Sequence, residues 1–375
     1  MNYILFDPPE IERFYPITLT RPLGELRVFG GTIRALWEQY LGCSVSYMTR
    51  DHLSDLYPIK IEEENIFLHP FGIFNLPDYC GFSYHSENQK IDKDILSLIN
   101  RHMIYCKGLK DKSQVSGLDS FPMNLSDFLL NFISLPFSSK RNKMNQFIAP
   151  DNGSSVKVLD CTNSHFLNDD NGPILIEEDV SIMEGAMIRG PVHICNGATI
   201  KMGAKIYGPT IIGPHCKVGG EVSHSIFLGF SNKAHHGFLG HSIIGEWCNI
   251  GAGTSNSNLK NDYTNVKMWD YIEKKFLNTK SQFLGLYMGD HSKCAINTSF
   301  NTGTTIGVNC NIFGPGFPRN FIPSFSWGGS QGIKEYGFEK ALFVAETVMK
   351  RRGFEINQEY INMLSSVRDI TLQYK

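Results

Sequence analysis

The chain has 375 residues, of which 42% are apolar and 19% charged, and its formal net charge is -2. This length accommodates two domains with apolar cores, and the balanced charge excludes a strongly basic nucleic-acid-binding protein. No apolar run approaches the roughly 18 residues that a membrane-spanning helix requires. We therefore expect neither nucleic acid nor a membrane as partner.

The nine cysteines form no C-x-x-C pair and show no zinc-type spacing with histidine. Those within periodic apolar segments are Cys195, Cys216, Cys248, Cys294 and Cys310. Buried, reduced thiols are typical of cytoplasmic proteins. The N-terminal sequence MNYILFDPPE has no basic region and only a short apolar run, so it does not resemble a signal peptide. These features predict a cytoplasmic protein.

The first predicted elements belong to an α/β domain, which we assign to residues 1–150. NYILF (Asn2–Phe6) predicts a strand, and FGGTIRALWE (Phe29–Glu38) predicts a helix. The segment between them, RFYPITLTRPLGELR (Arg13–Arg27), resembles the opening of sugar nucleotidyltransferases, where R-x-x-P-[IL]-T is followed by R-P. Nucleotide contacts are implied by this resemblance for Arg13, Thr18, Arg21 and Arg27. The implied nucleotide is UTP or dTTP, with Mg²⁺ if nucleotidyl transfer occurs, and the metal ligands are unassigned.

This motif departs from the family pattern in the residues that approach the triphosphate. The family has L-A-x-G-x-G-T before the arginine, and its glycines let backbone N–H groups reach the phosphates. Here FDPPEIE has no glycine, and Asp7, Glu10 and Glu12 would repel phosphate unless magnesium intervenes. Leu23 replaces the lysine of R-P-K, and Arg27 offers a positive charge nearby.

Residues 45–150 carry no further diagnostic motif. ENIFLHPFGIF (Glu64–Phe74) predicts a strand, and DKDILSLINRHMIYC (Asp92–Cys106) predicts a helix. Both agree with a small α/β domain.

A six-residue period defines a second domain, which we assign to residues 151–330. Every sixth residue is a β-branched aliphatic at Ile176, Ile182, Ile188, Ile194, Ile200, Ile206, Ile212 and Val218. This period fits neither a helix nor a lone strand. It predicts a parallel β-helix with one hexapeptide on each flat face and the aliphatic side chains stacked inside.

The period slips after Val218, resumes at Ile244 and Ile250, and resumes again from Met288. Between the last two blocks, residues 252–287 begin with a run of Gly, Ser, Thr and Asn. Insertions in repeat proteins form loops, often on the binding face. We therefore interpret residues 252–287 as an inserted loop that contributes to a binding site.

The last region, residues 331–375, predicts helices. EKALFVAETVMKRRG (Glu339–Gly353) has a broad apolar face and ends in glycine, and QEYINMLSSVRDITLQY (Gln358–Tyr374) predicts a second helix. These helices either cap the β-helix or pack against a neighbouring subunit.

Residues 235–268, HHGFLGHSIIGEWCNIGAGTSNSNLKNDYTNVKM, resemble sugar-phosphate acetyltransferases of the left-handed β-helix type. In that family a histidine and a Leu-Gly pair precede I-I-G-E-x-x-N-[IF]-G-A-G-T and a further asparagine. The chain as a whole resembles the bifunctional N-acetylglucosamine-1-phosphate uridyltransferases/glucosamine-1-phosphate acetyltransferases. This implies a left-handed β-helix, a homotrimer, acetyl-CoA as acyl donor, and a role in forming nucleotide sugars such as UDP-N-acetylglucosamine.

The resemblance also implies a role for each matched residue. His235 is the general base that deprotonates the sugar amine, because an ammonium group cannot attack a thioester. His236, one position away, is the alternative. Contacts to the sugar phosphate are implied for Asn258, Asn249, Lys267 and Lys201, through amide hydrogen bonds or a positive charge. Arg319, near the last coil, is the candidate for CoA phosphate.

The match has departures that leave the acceptor open. Ser223 and His224 stand where the family has a basic residue, and Phe238 stands where it often has tyrosine. Compared with the commonest form of the family, this chain has one residue fewer between Lys233 and His235.

Three functions remain open from the sequence. The first is acetyl-CoA-dependent acetylation of an amino-sugar 1-phosphate at the β-helix, with or without coupled nucleotidyl transfer. The second is sugar-1-phosphate nucleotidyl transfer, with the β-helix serving assembly. The third is a non-catalytic regulator that binds a sugar nucleotide.

Overall fold

The computed structural model of the chain describes residues 2–75, 81–85, 125–126, 128 and 166–375. These residues form an N-terminal α/β segment, a left-handed parallel β-helix and two C-terminal helices, which confirms the expected fold class. The boundary assigned at residue 150 and the helix expected over Asp92–Cys106 lie outside the described residues.

In its described residues up to His85, the N-terminal segment contains a four-stranded sheet, the antiparallel pair β2–β3, one α-helix and several short 3-10 helices. Its strands are β1 (Asn2–Phe6), β2 (Arg27–Val28), β3 (Gly31–Thr32), β4 (Ser46–Met48), β5 (Glu64–Leu68) and β6 (Gly81–His85). The sheet has the order β4-β1-β5-β6, and only β5 and β6 pair antiparallel. Helix α1 (Ile33–Leu41) begins after Thr32, whose hydroxyl accepts the N–H of Ala35, and ends at left-handed Gly42.

The β-helix has three faces, each a stack of short parallel strands. The first face contains β7 (Phe166–Asn168), β10 (Met187–Arg189), β13 (Lys205–Tyr207), β16 (Glu221–Ser223) and β19 (Phe238–Gly240), with the pair β22 (Ser255–Asn256) and β27 (Ser299–Phe300) above them. The second face contains β8 (Ile174–Ile176), β11 (Val192–Ile194), β14 (Thr210–Ile212), β17 (Ile226–Gly229), β20 (Ile243–Glu246), β25 (Leu286–Met288), β28 (Thr304–Ile306) and β30 (Phe321–Ile322).

The third face contains β9 (Ser181–Ile182), β12 (Thr199–Ile200), β15 (Lys217–Val218), β18 (Asn232–Lys233), β21 (Asn249–Ile250), β26 (Lys293–Cys294), β29 (Asn311–Ile312) and β31 (Ser326–Gly329), and it ends with antiparallel β32 (Gly332–Glu335).

The strand register explains the six-residue period. Val192 pairs with Thr210 and Ile194 with Ile212, so this coil takes eighteen residues, or three hexapeptides. The every-sixth aliphatics therefore fall on the three faces in turn, and those from Ile188 to Val218 are at most 2% exposed. The predicted hexapeptide β-helix is confirmed.

The second face is buried on both sides. Its inward side chains, such as Phe227 and Ile244, fill the interior of the β-helix. Its outward side chains, among them Ile211 and Leu228, pack into one core with Leu5 of β1 and the rest of the N-terminal segment. A parallel sheet buried on both faces needs nearly continuous apolar strands, which these are. The N-terminal segment therefore covers the second face of the β-helix and leaves the first and third faces uncovered by it.

The C-terminal helices are α2 (Phe338–Lys350) and α3 (Gln358–Thr371). Met363 and Leu364 of α3 share a core with Leu19 and Leu53 of the N-terminal segment and with Phe325 of the β-helix. The sequence left open whether these helices cap the β-helix or pack against a neighbouring subunit; in the structure, α3 packs between the β-helix and the N-terminal segment of its own chain. Across the described ranges, no helix combines the length and apolar character needed to cross a bilayer.

The inserted segment leaves the β-helix later than expected. Residues 252–256 still form a turn and strand β22, and the chain rejoins the second face at Leu286. Within the excursion, β23 (Lys267–Asp270) and β24 (Lys275–Asn278) form a hairpin. Val266 and Met268 are buried in the core shared with the N-terminal segment. Part of the excursion is thus packed scaffold.

Candidate active site

One edge of the β-helix, between the third and first faces, contains a shortened turn. The registers Ile200↔Val218 and Lys205↔Glu221 leave four residues in the lower turn, residues 201–204, but only two in the next. These two, Gly219 and Gly220, are followed one coil higher by four residues again, 234–237. We call residues 219–220 the shortened turn and residues 234–237 the histidine turn. With two residues fewer, the shortened turn protrudes less than the turns above and below it, and we call this step in the outline of the edge the recess.

The histidine turn presents two open imidazoles. His235 and His236 are both exposed, and neither ring hydrogen-bonds to any part of the chain that the structure describes. Lys201 lies on the same edge, in the lower turn, where its side chain is half-buried. Lys201 and His235 lie two coils apart on this edge, and Gly219 is packed between Cβ of Lys201 and the carbonyl of Ala234. The recess between them has a polar group above and a cationic one below.

Three further residues lie on or beside this edge. Asn249 is exposed on the third face, two residues before the turn that follows the histidine turn one coil higher. Met202 and Ile296 occupy the edge below and above the histidines, and their exposed fractions are 67% and 68%. Such apolar exposure beside polar groups is typical of a surface that binds a ligand or a partner.

Asn258 lies at the opposite end of the first face from the histidine turn. Its Nδ2 donates a hydrogen bond to Nδ1 of His241 at 2.9 Å. The ring of His241 stacks between His224 and Phe283, with centroid distances of 4.5 and 5.1 Å. Burial, together with His224, lowers the pKa of His241 to about 4. His241 is therefore neutral at pH 7, and the described chain does not bring Asn258 to His235.

The stacked histidines are a feature that the sequence interpretation missed. His224 and His241 are seventeen residues apart, which equals the separation of the paired residues Ile226 and Ile243 on the adjoining strands. That equality places both rings at the same corner of successive coils. The signal was available in the sequence, but only after the length of this coil was known.

Two other predicted contacts lie far from the histidine turn. Lys267 is exposed on β23, and its carbonyl oxygen approaches Gly303 at the edge between the first and second faces. Arg319 is exposed in the loop before β30. Neither side chain has an ion-pair partner among the described residues. Their assigned roles stay predictions.

Arg21, a predicted nucleotide contact, is buried between the N-terminal segment and the β-helix. Its guanidinium pairs with the carboxylate of Asp290 and lies 3.3 Å from that of Glu246. The hydroxyl of Thr20 donates to the same Asp290 carboxylate at 2.8 Å. Both acids belong to the second face or the turn after it, so this pairing joins the two parts of the molecule.

The remaining N-terminal candidates also contact protein groups. Arg13 donates to Asp270 of the excursion at 2.9 Å, and Arg27 donates to the carbonyl of Leu228 at 2.6 Å. Thr18 is fully buried. All three predicted arginines therefore face the β-helix or its excursion, and their role toward a nucleotide stays a prediction.

The N-terminal segment does not offer Asp7 as a magnesium ligand. One carboxylate oxygen accepts the N–H of Leu23 at 2.8 Å, and the other accepts the hydroxyl of Thr49 at 2.6 Å and lies 3.3 Å from Arg50. Magnesium prefers oxygen ligands that are free to complete an octahedron. The oxygens of Asp7 are already occupied by protein donors, so this residue does not fit such an ion.

A possible metal-ligand cluster lies where the second face meets the N-terminal segment. Within the described ranges, one group of three side chains has its possible ligand atoms within 4.8 Å of one another: Glu177, His193 and Cys195. Nε2 of His193 lies 2.7 Å from Glu177. Although burial opposes the charged ring, Cys195 and Glu177 raise the pKa of His193 to about 9, so Nε2 holds a proton and donates to the carboxylate. A protonated Nε2 offers no lone pair to a metal within the cluster.

Comparison with known proteins shows similarity to nucleotidyltransferases and to bifunctional nucleotidyltransferase/acetyltransferases. Residues 3–75 match the family model described as sugar nucleotidyl transferase. A bifunctional sugar-1-phosphate nucleotidylyltransferase/acetyltransferase of Sulfurisphaera tokodaii is 34% identical over 144 residues, which cover 38% of this chain and 35% of the relative. The bifunctional protein GlmU of Methanococcus aeolicus is 34% identical over 175 residues, covering 46% and 38%.

A solved UDP-N-acetylglucosamine acyltransferase from Campylobacter jejuni has a TM-score of 0.30 and 14% identity, with 54% of this chain and 94% of that chain covered. The chain spans about a third of the length of the two curated relatives described above. These relatives are named as transferases, as the resemblance implies. The resemblance is confirmed: the chain is similar to bifunctional GlmU-type nucleotidyltransferase/acetyltransferases, with a sugar nucleotidyl transferase-like segment followed by a hexapeptide-repeat β-helix.

Proposed function

We propose that the chain is a transferase of nucleotide-sugar biosynthesis that acetylates the amino group of an amino-sugar 1-phosphate, with acetyl-CoA as donor. The observation that carries the proposal is the recess under the histidine turn. It combines exposed imidazoles with Lys201 on the same edge, and nothing within the described chain occupies these side chains. A base and a cation on either side of a recess suit an amine and a phosphate on one small substrate.

In the proposed reaction, His235 takes a proton from the substrate amine. The amine nitrogen then forms a bond to the acetyl carbonyl carbon, and the carbon–sulfur bond of acetyl-CoA breaks. The proton held by His235 passes to the departing thiolate, and the second proton lost by the nitrogen leaves to solvent as the amide forms. Lys201 attracts the phosphate, and Asn249 offers its amide to the sugar hydroxyls. Arg319 is the proposed contact for CoA phosphate.

We also propose that the working assembly is a homotrimer. The N-terminal segment covers the second face, so contacts between copies are left to the first and third faces. Exposed Met187, Met202 and Ile296 lie on or beside the first face, where a second copy would bury them. Asn258 and Lys267 lie beyond the far end of that face, about 10 Å of strand from His235. A neighbouring copy would be needed to bring such groups to the recess.

The test measures CoA thiol release from acetyl-CoA with and without glucosamine 1-phosphate. We expect sugar-dependent release by the full chain. His235→Ala should lower kcat by roughly 100- to 10,000-fold, the usual contribution of a general base. His236→Ala is the matched control, because it removes the neighbouring exposed ring. The opposite result would make His236 the base, and unchanged turnover in both variants would remove the histidine turn from the reaction.

A second candidate is nucleotidyl transfer by the N-terminal segment, which the match over residues 3–75 favours. Mg²⁺-dependent release of pyrophosphate from UTP or dTTP with a sugar 1-phosphate would identify it. Ligand binding without either release would instead favour the third function, a non-catalytic regulator that binds a sugar nucleotide.

A further inference from the structure

Lys233 stands in a column of apolar side chains inside the β-helix. It pairs in register with Val218 on the coil below, which in turn pairs with Ile200, and its side chain is only 1% exposed. In the described part of the chain, no carboxylate pairs with it. Burial lowers the pKa of the amine to about 8, a free-energy cost that an apolar side chain would avoid.

The hydrogen bonds of Lys233 connect the two turns of the candidate site. Its Nζ donates to the carbonyl of Gly219 in the shortened turn at 3.2 Å and to the carbonyl of His235 in the histidine turn at 2.8 Å. In the four-residue lower turn, the equivalent carbonyl of Lys201 accepts the N–H of Ala204 at 3.1 Å. The shortened turn has no such amide, because the chain has already entered β16. Lys233 supplies the missing donor from inside the coil.

The backbone around this amine is closely packed. Gly220 has φ +74°, and a Cβ there would lie 2.7 Å from the carbonyl oxygen of His235 and 2.8 Å from Nζ of Lys233. The shortened turn, the amine and the histidine turn therefore fit together in one arrangement. If the amine moved, the carbonyl of His235 would lose this hydrogen bond, and the direction of the His235 ring would no longer be fixed.

We infer that Lys233 is a positioning residue, which holds the histidine turn at a fixed height above the recess and so sets where the His235 ring points. This inference rests on the proposed function, since it assigns Lys233 to the same site. It explains why a cationic side chain stands in an otherwise aliphatic column. An apolar residue there would fill the interior but leave the carbonyls of Gly219 and His235 without the amine as donor.

The test compares Lys233→Met with Ile250→Met, a matched control on the same face one coil higher. Lys233→Met fills the column without donating to either carbonyl, so the fold should be kept. Amide hydrogen exchange of residues 234–237 should rise roughly tenfold, the effect of losing one hydrogen bond. The kcat for acetyl transfer should fall about 100-fold through misplacement of the base, with KM for acetyl-CoA unchanged. Ile250→Met should change neither quantity.

The two readouts separate this inference from the proposed function. If the unsubstituted protein transfers no acetyl group, the function fails, while the exchange of residues 234–237 still decides whether Lys233 holds the turn. Exchange and kcat at the levels of the unsubstituted protein in Lys233→Met would overturn the inference. If Lys233→Met does not fold, Lys233→Leu takes its place: it also donates to neither carbonyl, so faster exchange and lower kcat support the inference and unchanged values overturn it.

Discussion

The arginines of the N-terminal motif and the histidines of the β-helix edge come from equally recognisable sequence patterns, yet the structure treats them differently. Arg21 is buried and its guanidinium pairs with Asp290 and Glu246. The rings of His235 and His236 are exposed and hydrogen-bond to no group within the described chain. The guanidinium of Arg21 is already paired with carboxylates of the protein, whereas the two imidazoles are available to contact a substrate. A motif residue is available for chemistry only when its functional atoms are not already committed.

This difference predicts that substitutions at the first site change stability and that substitutions at the second change activity. The largest effect is expected from Arg21→Met. The change leaves the carboxylate of Asp290 buried without its guanidinium, which typically costs about 3–5 kcal/mol. Urea unfolding followed by circular dichroism measures the loss.

The control for this prediction is the double variant Arg21→Met/Asp290→Asn. It removes the unpaired charge while keeping most of the side-chain volume, so part of the lost stability should return. A single Arg21→Met variant as stable as the unsubstituted protein, but with weakened UTP binding, would contradict the comparison. It would indicate that Arg21 serves a nucleotide after all.

A second prediction concerns His241, whose ring lies at the β-helix surface but is stacked between the rings of His224 and Phe283. Its pKa of about 4 is below the value near 6.5 of an unfolded histidine, so the unfolded state binds more protons between these values. Stability is therefore complete above about pH 6.5 and falls as the pH is lowered towards 4. Allowing for partial exposure of the ring, we expect a loss of about 2 kcal/mol from this residue.

Unfolding free energies measured at intervals from pH 7 to 4.5 check this expectation. His241→Asn keeps a residue type that tolerates the left-handed backbone, with φ 50° at this position, and should reduce the acid dependence. Equal acid dependence in the two proteins would mean that His241 is not held neutral by its surroundings.

The sequence predicted the architecture better than the site because the two depend on different separations along the chain. The β-helix repeats every few residues, so Ile194 and Ile212 reveal their stacking through spacing alone. The partner of Arg21 is 269 residues away, and no local pattern indicates it. The excursion was expected to begin at residue 252, yet residues 252–256 complete a coil because their small side chains also suit a turn. The slip after Val218 was noticed, but its consequence, a recess below His235, required the strand register.

The smallest expected effects come from two residues that the sequence analysis assigned to a nucleotide contact and to a sugar-phosphate contact, and that lie at opposite ends of β23: Arg13 beside its last residue and Lys267 at its first. Arg13 pairs with Asp270 at 2.9 Å, and its side chain is 23% exposed. Lys267, at the other end of the same strand, is exposed and has no ion-pair partner within the described ranges. Arg13→Gln should therefore cost up to about 1 kcal/mol, as partly exposed ion pairs do. Lys267→Gln should change stability by less than about 0.5 kcal/mol.

For acetyl transfer the order of the two variants should be the opposite of their order for stability, with the larger effect from Lys267→Gln. If Lys267 binds phosphate, removal of its charge should raise KM for the acceptor about tenfold, the factor that corresponds to one charge-assisted hydrogen bond of about 1.4 kcal/mol. Arg13→Gln should leave KM unchanged, because its guanidinium is committed to Asp270. Parallel measurements of unfolding midpoints and of acceptor KM for the two variants test both halves of the comparison. If Arg13→Gln raises KM and Lys267→Gln does not, the paired residue is the one that serves the substrate, and pairing within the chain no longer separates scaffold from site.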